Sequence, residues 1–129
     1  MCGLFGFINF DGSHTTSTRT VARSGCEMDT RGGDSVGWIT AVHGEWINSP
    51  VKYLGNASDV VAHIRHDAIE HDVLVGHTRL ATHGDVSEDI NNHPHDYETD
   101  RVYGAITHNG VIHGHEDIAK KHGLSLRGD

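Results

Sequence analysis

The feature that most constrains this chain is a cysteine placed directly behind the initiator methionine. Once Met1 is trimmed, Cys2 becomes the amino terminus and carries both a thiol nucleophile and a free α-amine. Such an amine has a reference pKa of about 7.7 to 8.0, so near physiological pH much of it is neutral and can accept a proton through one water. A terminal nucleophile activated by its own amine is a known form of covalent catalysis. Taken alone, however, Cys2 is more simply a small buried residue at the start of a strand.

Three later segments give Cys2 a chemical context, because each is short and rich in polar groups. In chain order they are Arg31-Gly32-Gly33-Asp34-Ser35, Gly76-His77-Thr78-Arg79-Leu80-Ala81-Thr82-His83-Gly84 and His108-Asn109-Gly110. In kind and order, Cys2 and these segments resemble the glutaminase domain of class II glutamine amidotransferases, which are N-terminal nucleophile hydrolases. The resemblance runs from Cys2 to about Asp129.

The length of the chain allows one domain. With 129 residues it can bury one sizeable core but is small for two. The resemblance implies an α+β fold, part of the four-layer αββα sandwich of N-terminal nucleophile hydrolases, with antiparallel sheets and helices outside. A whole glutaminase domain is typically longer, so residues 1–129 are expected to be its N-terminal part, with the sandwich incomplete.

Hydrophobic patterning and turn residues predict the elements that carry these segments. Residues 2–10 are aromatic-rich and β-branched and end at the turn pair Asp11-Gly12, which predicts a buried strand with Cys2 at its tip. Further strands are predicted over residues 36–42, 73–76 and 102–107, the first pairing with residues 45–47. Helices are predicted over residues 20–28, with Cys26 in the core, over 57–69, capped by Ser58 or Asn56, and over 117–122, stopped by Gly123. Residues 85–100 lack periodicity and are predicted to be a loop.

Amide hydrolysis needs a nucleophile, a proton acceptor and donors for the tetrahedral oxyanion. The resemblance implies that Cys2 attacks the side-chain amide of glutamine, forms a thioester and releases ammonia, after which water hydrolyses the acyl-enzyme. It also implies that Asn109 and Gly110 are the oxyanion donors, since a side-chain NH2 and a glycine N–H can point at one oxygen. Taken alone, Asn-Gly is more simply a hairpin turn.

A substrate amino acid also needs partners for its charged groups. Arg79 is the best candidate for the α-carboxylate, because a guanidinium can bind it through two hydrogen bonds; the alternative is a surface ion pair. The resemblance implies that Thr82 and His83 add contacts, whereas Leu80 stands where some members have tryptophan. In the family, the aspartate that binds the α-ammonium follows the position of Asp129. Either Asp129 substitutes for it, or the chain is a fragment.

Other polar residues are expected to support the pocket. Arg31 and Asp34 are expected to brace the strand of the nucleophile, and His93, within an asparagine-histidine-proline segment, is expected to be structural. His93-x-His95 and His113-x-His115 fit no strong zinc signature. No metal and no cofactor are expected.

The charge and the cysteine count limit the partners and the compartment. A net charge of -8 argues against binding nucleic acid or an anionic membrane. The sequence has neither a secretory signal nor an apolar stretch of the ~18 residues that a membrane span requires. A reducing cytosol is the expected compartment, with Cys2 free rather than in a disulfide.

These expectations define one function and two alternatives. The first is glutamine hydrolysis that supplies ammonia to an acceptor domain or a partner subunit. A non-catalytic glutaminase-like module, acting as a structural subunit of a larger assembly, is the alternative from another class. A third hypothesis is an N-terminal nucleophile amidase acting on another amide, although Arg79 with Thr82 and His83 favours an amino-acid substrate. Pairing with another chain is expected to cover an exposed sheet.

Overall fold

A five-stranded antiparallel sheet forms the centre of the protein. The computed structural model describes residues 1–10, 18–47, 49–67 and 70–126. The strands of the sheet are β1 (Gly3–Ile8), β2 (Ser35–Val42), β3 (Glu45–Trp46), β4 (Val51–Leu54) and β5 (Val73–Arg79). Strand β5 lies between β1 and β2, and β2 also pairs with both β3 and β4. The edge strand β1 therefore hydrogen-bonds only to β5 among the described strands.

Within the described ranges, the remaining elements are three helices, two short 3-10 turns and a second, smaller sheet. The helices are α1 (Thr18–Glu27), α2 (Val61–Asp67) and α3 (His115–His122). The second sheet pairs β6 (His95–Glu98) with β7 (Tyr103–Ile106) in antiparallel register. Short 3-10 turns span Met28–Thr30 and Asp89–Asn91.

The hydrophobic core lies between the large sheet and helices α1 and α2. Side chains alternate across a strand, so Val36 and Trp38 of β2 and Leu74 of β5 share the face that packs against these helices. Val21 of α1 and Ile64 of α2 complete this layer. The opposite face of β5 carries the polar side chains His77 and Arg79, both buried. The face towards α1 and α2 thus carries the main apolar cluster, and the opposite face holds polar groups next to the buried Ile39 and Ala41.

The mixed helix and strand content and the antiparallel sheets agree with the predicted α+β class. The strands predicted from residues 2, 36, 73 and 102 are present, and the predicted hairpin across His43-Gly44 is confirmed by the pairing of β2 with β3. Gly123 ends α3 in the left-handed conformation, with φ of 65°, as predicted. Among the described residues, no helix is long and apolar enough to cross a bilayer.

Several expectations were wrong in detail. The predicted loop over residues 85–100 contains a 3-10 turn and strand β6, because β6 gains its hydrogen bonds from β7 rather than from a periodic pattern of its own. Strand β4 was not predicted. Helix α2 begins at Val61, and the turn before it is capped by the distant Asp29 carboxylate, which accepts the N–H groups of Ala57 and Ser58. The predicted turn Asp11-Gly12, residues 68–69 of the predicted helix and Asp129 lie outside the described residues.

Candidate functional site

The pairing of β1 with β5 brings Cys2 next to the second polar segment. Gly3 lies opposite Thr78 in this antiparallel register, so the residue before β1 meets the residues that end β5. The backbone N–H of Leu80 donates to the Cys2 sulfur at 3.4 Å, and the sulfur lies 3.7 Å from the Leu80 carbonyl oxygen. Cys2 is half-buried and free of any disulfide.

The first polar segment holds both of these strand ends. The Arg31 Nε–H donates to the Cys2 carbonyl at 3.1 Å. Asp34 accepts the Ala81 N–H at 2.7 Å, and its own N–H donates to the Arg79 carbonyl at 3.0 Å. A Cβ on Gly32 would lie 2.5 Å from the Arg79 carbonyl carbon, so only glycine allows this close approach.

The guanidinium of Arg79 is held from two sides. Arg79 is 6% exposed. One terminal nitrogen donates to the Asn92 side-chain oxygen at 3.2 Å, and the other donates to the His83 carbonyl. The same Asn92 oxygen accepts the Ser35 hydroxyl at 2.8 Å, while the Asn92 NH2 donates to the Val86 carbonyl at 2.7 Å. Asn92 is therefore fixed by three hydrogen bonds and in turn orients Arg79.

Three histidine rings contact one another in tilted and edge-on arrangements. The ring centroids of His77 and His93 lie 4.3 Å apart, as do those of His93 and His95. Burial, followed by the neighbouring histidines and Arg79, lowers the pKa of His77 to about 4 and that of His93 to about 3, and the hydrogen bond to the His108 carbonyl opposes this shift at His77. The His77 and His93 rings are therefore neutral near pH 7.

The candidate oxyanion segment lies at the end of the second sheet. Asn109 and Gly110 are exposed and follow β7 without regular structure. His77 Nε2 lies 3.2 Å from the His108 carbonyl oxygen, which connects this segment to β5. Thr82 and His83 are also exposed, and the His83 Nδ1 lies 3.1 Å from the Thr82 hydroxyl.

The fold thus brings together several of the candidate residues. Arg31 bonds the Cys2 carbonyl directly, and Arg79 and the Asp34-bound Ala81 flank Leu80, whose N–H reaches the Cys2 sulfur. His93 contacts the ring of His77, which lies on the same face of β5 as Arg79. Asp129 is not described. No group of three histidine, cysteine, aspartate or glutamate side chains within the described ranges is arranged to hold a metal ion.

Sequence reasoning missed individual roles for His77, Asn92 and the Leu80 backbone. One signal was available for the histidine, since His77 and Arg79 are two residues apart in a strand and must share a face. A charged arginine on that face predicts polar neighbours around it. No sequence signal pointed to the Leu80 amide, because its role depends on the register between β1 and β5.

Comparison with known proteins places this site in a family context. No protein-family model matches the chain. The isomerizing glutamine–fructose-6-phosphate aminotransferase of Streptococcus pneumoniae is 33% identical over 122 residues, which is 95% of this chain and 18% of that protein. The enzyme of the same name from Halalkalibacterium halodurans is 34% identical over 93% of this chain and 18% of its own length. That of Clostridium perfringens is 29% identical over 92% of this chain, again 18% of its length.

These relatives carry a class II glutamine amidotransferase domain at the N-terminus, and this chain is a homologue of that domain. The resemblance inferred from the four ordered motifs is therefore confirmed. The chain spans roughly a fifth of the length of the curated relatives that it matches.

Proposed function

We propose that this chain is a glutaminase domain in which Cys2, as the amino terminus, hydrolyses glutamine to glutamate and ammonia. The observation that carries the proposal is the contact between the Cys2 sulfur and the Leu80 N–H. This contact places the nucleophile against Leu80, the residue that directly follows Arg79, and Arg79 is the candidate for binding the carboxylate. The homology to the N-terminal domain of glutamine-dependent aminotransferases supports the same chemistry.

In the proposed reaction, the Cys2 amine accepts the thiol proton and the sulfur attacks the side-chain carbonyl carbon of glutamine. The tetrahedral oxyanion that forms is stabilised by the Asn109 side-chain NH2 and the Gly110 N–H. When the C–N bond breaks, the leaving nitrogen takes the proton and departs as ammonia, leaving a thioester on Cys2. A water molecule, deprotonated by the same amine, then cleaves the thioester to glutamate and restores the thiol.

Substrate binding in this proposal depends on charge. Arg79 binds the α-carboxylate through the part of its guanidinium that faces the substrate, and Thr82 and His83 add polar contacts at the rim. Asn92 and the His83 carbonyl support this role, because they fix two terminal nitrogens of Arg79. Asp129 is proposed as the partner of the α-ammonium.

The ammonia is proposed to pass to an acceptor domain or partner subunit. The relatives are named for fructose 6-phosphate as well as glutamine, and they extend far beyond the region matched by this chain. The four-layer sandwich of N-terminal nucleophile hydrolases is proposed as the complete architecture. The large sheet, with helices α1 and α2 on one face, would supply two adjacent layers of it.

The test combines intact-mass measurement with glutamate release. We expect the mature protein to lack Met1 and to release glutamate from glutamine, and we expect Cys2→Ala to lose this activity. Cys26→Ala is the matched control, because it removes the other thiol and should leave turnover intact. Retained methionine with no turnover would instead favour the non-catalytic module, since an acylated Cys2 nitrogen cannot act as a base.

A further inference from the structure

A buried histidine links the two halves of the candidate site. His77 is 1% exposed and lies on the same face of β5 as Arg79. Its Nε2 lies 3.2 Å from the carbonyl oxygen of His108, the residue directly before Asn109. Its side chain is covered and its Nε2 is engaged with the His108 carbonyl, so we expect any effect of His77 on the reaction to act through the segment that it holds.

The hydrogen-bonding partners fix the form of the ring. A carbonyl oxygen only accepts hydrogen bonds, so the His77 Nε2 must carry the proton. The Nδ1 of the same ring is buried and has no hydrogen-bond partner among the described residues. A neutral ring leaves only a lone pair at that nitrogen, whereas a charged ring would bury an unpaired N–H close to Arg79. The tilted contact with the His93 ring, whose centroid lies 4.3 Å away, then restricts the plane of the His77 ring.

The bond to His108 acts directly on the oxyanion segment. The carbonyl of His108 and the N–H of Asn109 belong to one rigid peptide plane. The hydrogen bond from His77 to the oxygen of this plane therefore fixes the position of the Asn109 Cα, and with it the direction of the Asn109 Cα–Cβ bond. Asn109 and Gly110 are themselves exposed, so this attachment matters for their placement.

We propose that His77 is a positioning residue that fixes the segment 108–110 against the strand that carries Arg79. This inference rests on the proposed function in that the segment is assigned to the oxyanion. His77 thereby connects Arg79, which binds the substrate carboxylate, to Asn109 and Gly110, which stabilise the oxyanion. Misplaced oxyanion donors weaken transition-state stabilisation more than ground-state binding, so the effect falls on kcat rather than on KM.

The experiment compares two variants of His77 with a control on helix α2, in the core that packs against the other face of the sheet. His77→Phe keeps an aromatic ring against His93 but lacks the N–H donor, and His77→Gln offers an amide N–H near the place of Nε2. We expect the phenylalanine variant to lower kcat for glutamine by about ten- to a hundredfold with little change in KM, and the glutamine variant to recover much of the loss. Ile64→Ala, which opens the core beneath α2, should lower stability without changing kcat.

A second measurement does not depend on turnover. Amide hydrogen exchange of residues 108–110 should be faster in His77→Phe than in the unmodified chain, and unchanged in Ile64→Ala. If the unmodified chain does not hydrolyse glutamine, the proposed function fails, but faster exchange confined to His77→Phe still supports the positioning role. Unchanged exchange in His77→Phe, or an equal loss of kcat in Ile64→Ala, would overturn it.

Discussion

The backbone N–H of Leu80 donates a hydrogen bond to the sulfur of Cys2, across 3.4 Å. The contact joins the second residue of the chain to the end of a central strand. It exists because β1 and β5 pair with Gly3 opposite Thr78, a register that carries each strand end to the other. Backbone pairing between β1 and β5 therefore places Cys2 close enough for its sulfur to accept the Leu80 N–H.

The two cysteines are expected to differ in reactivity. Burial first, and then the nearby Asp29 carboxylate, raise the pKa of the Cys26 thiol above its usual value of 9.0. Less of Cys26 is therefore thiolate near neutral pH, and thiolate is the form that alkylates. Brief treatment with iodoacetamide, followed by peptide mass mapping, should label Cys2 several times faster than Cys26. The difference should disappear in urea, and faster labelling of Cys26 in the folded protein would contradict the prediction.

Arg79→Lys should weaken glutamine binding more than it slows the chemical step. Lysine keeps the positive charge but cannot bind Asn92, the His83 carbonyl and a carboxylate at the same time. Loss of a charged hydrogen bond of about 1.5 to 3 kcal/mol corresponds to a KM raised by roughly ten- to a hundredfold. Steady-state glutamate release measures this effect. Asn92→Ala should shift KM in the same direction by releasing the guanidinium, and an unchanged KM in both variants would exclude Arg79 as the carboxylate site.

Stability should fall as the pH is lowered from 7 towards 4. In the unfolded chain a histidine binds its proton near its ordinary pKa of 6.5, whereas the folded pKa is about 4 for His77 and about 3 for His93. Below about pH 6.5 the unfolded state therefore binds more protons, and the free energy of unfolding decreases by up to about 1.4 kcal/mol per pH unit for each histidine. The decrease from each ring ends when the pH passes below its folded pKa.

Urea titrations at pH 7, 6 and 5 test this prediction. His77→Phe removes one of the two titrating rings, so its unfolding free energy should depend less steeply on pH than that of the unmodified chain. Carboxylates contribute equally to both proteins and cancel in the comparison. Identical slopes would show that His77 does not stay neutral in the folded state.

Asp29 should stabilise the turn that leads into α2 from a distant part of the chain. Its two carboxylate oxygens accept the N–H of Ala57 at 2.7 Å, the N–H of Ser58 at 3.0 Å and the Ser58 hydroxyl at 2.6 Å. Asp29→Ala leaves these donors without the carboxylate and should cost about 1 to 2 kcal/mol, as the loss of a helix N-cap does. Thermal unfolding measures this cost. Asp29→Asn keeps one acceptor oxygen, so its stability should lie between that of the unmodified chain and that of Asp29→Ala. An alanine variant as stable as the unmodified chain would rule out a capping role.

The sequence by itself determined most of the elements and the family. The apolar strands around residues 3, 36 and 73, the hairpin at His43-Gly44 and the stop at Gly123 follow from side-chain pattern and turn chemistry, which act over a few residues. The four polar motifs indicated a resemblance to class II glutamine amidotransferases, and the similarity to glutamine–fructose-6-phosphate aminotransferases bears this out. Strand β6 was missed, since its four residues have no apolar pattern and depend on β7 for their pairing.

Only the tertiary structure decided which groups meet. The Leu80 N–H contacts Cys2 because of the register between β1 and β5. Asp29 caps a turn that begins 28 residues later in the chain, and Asn92 bonds Arg79 from a segment that the sequence predicts to be a loop. His77 is a motif residue whose burial and attachment to His108 appear only once β5 and the segment after β7 are in place. Local sequence sets what each residue can do, but long-range pairing sets the partner, because hydrogen-bonding partners far apart in sequence meet only when the whole sheet forms.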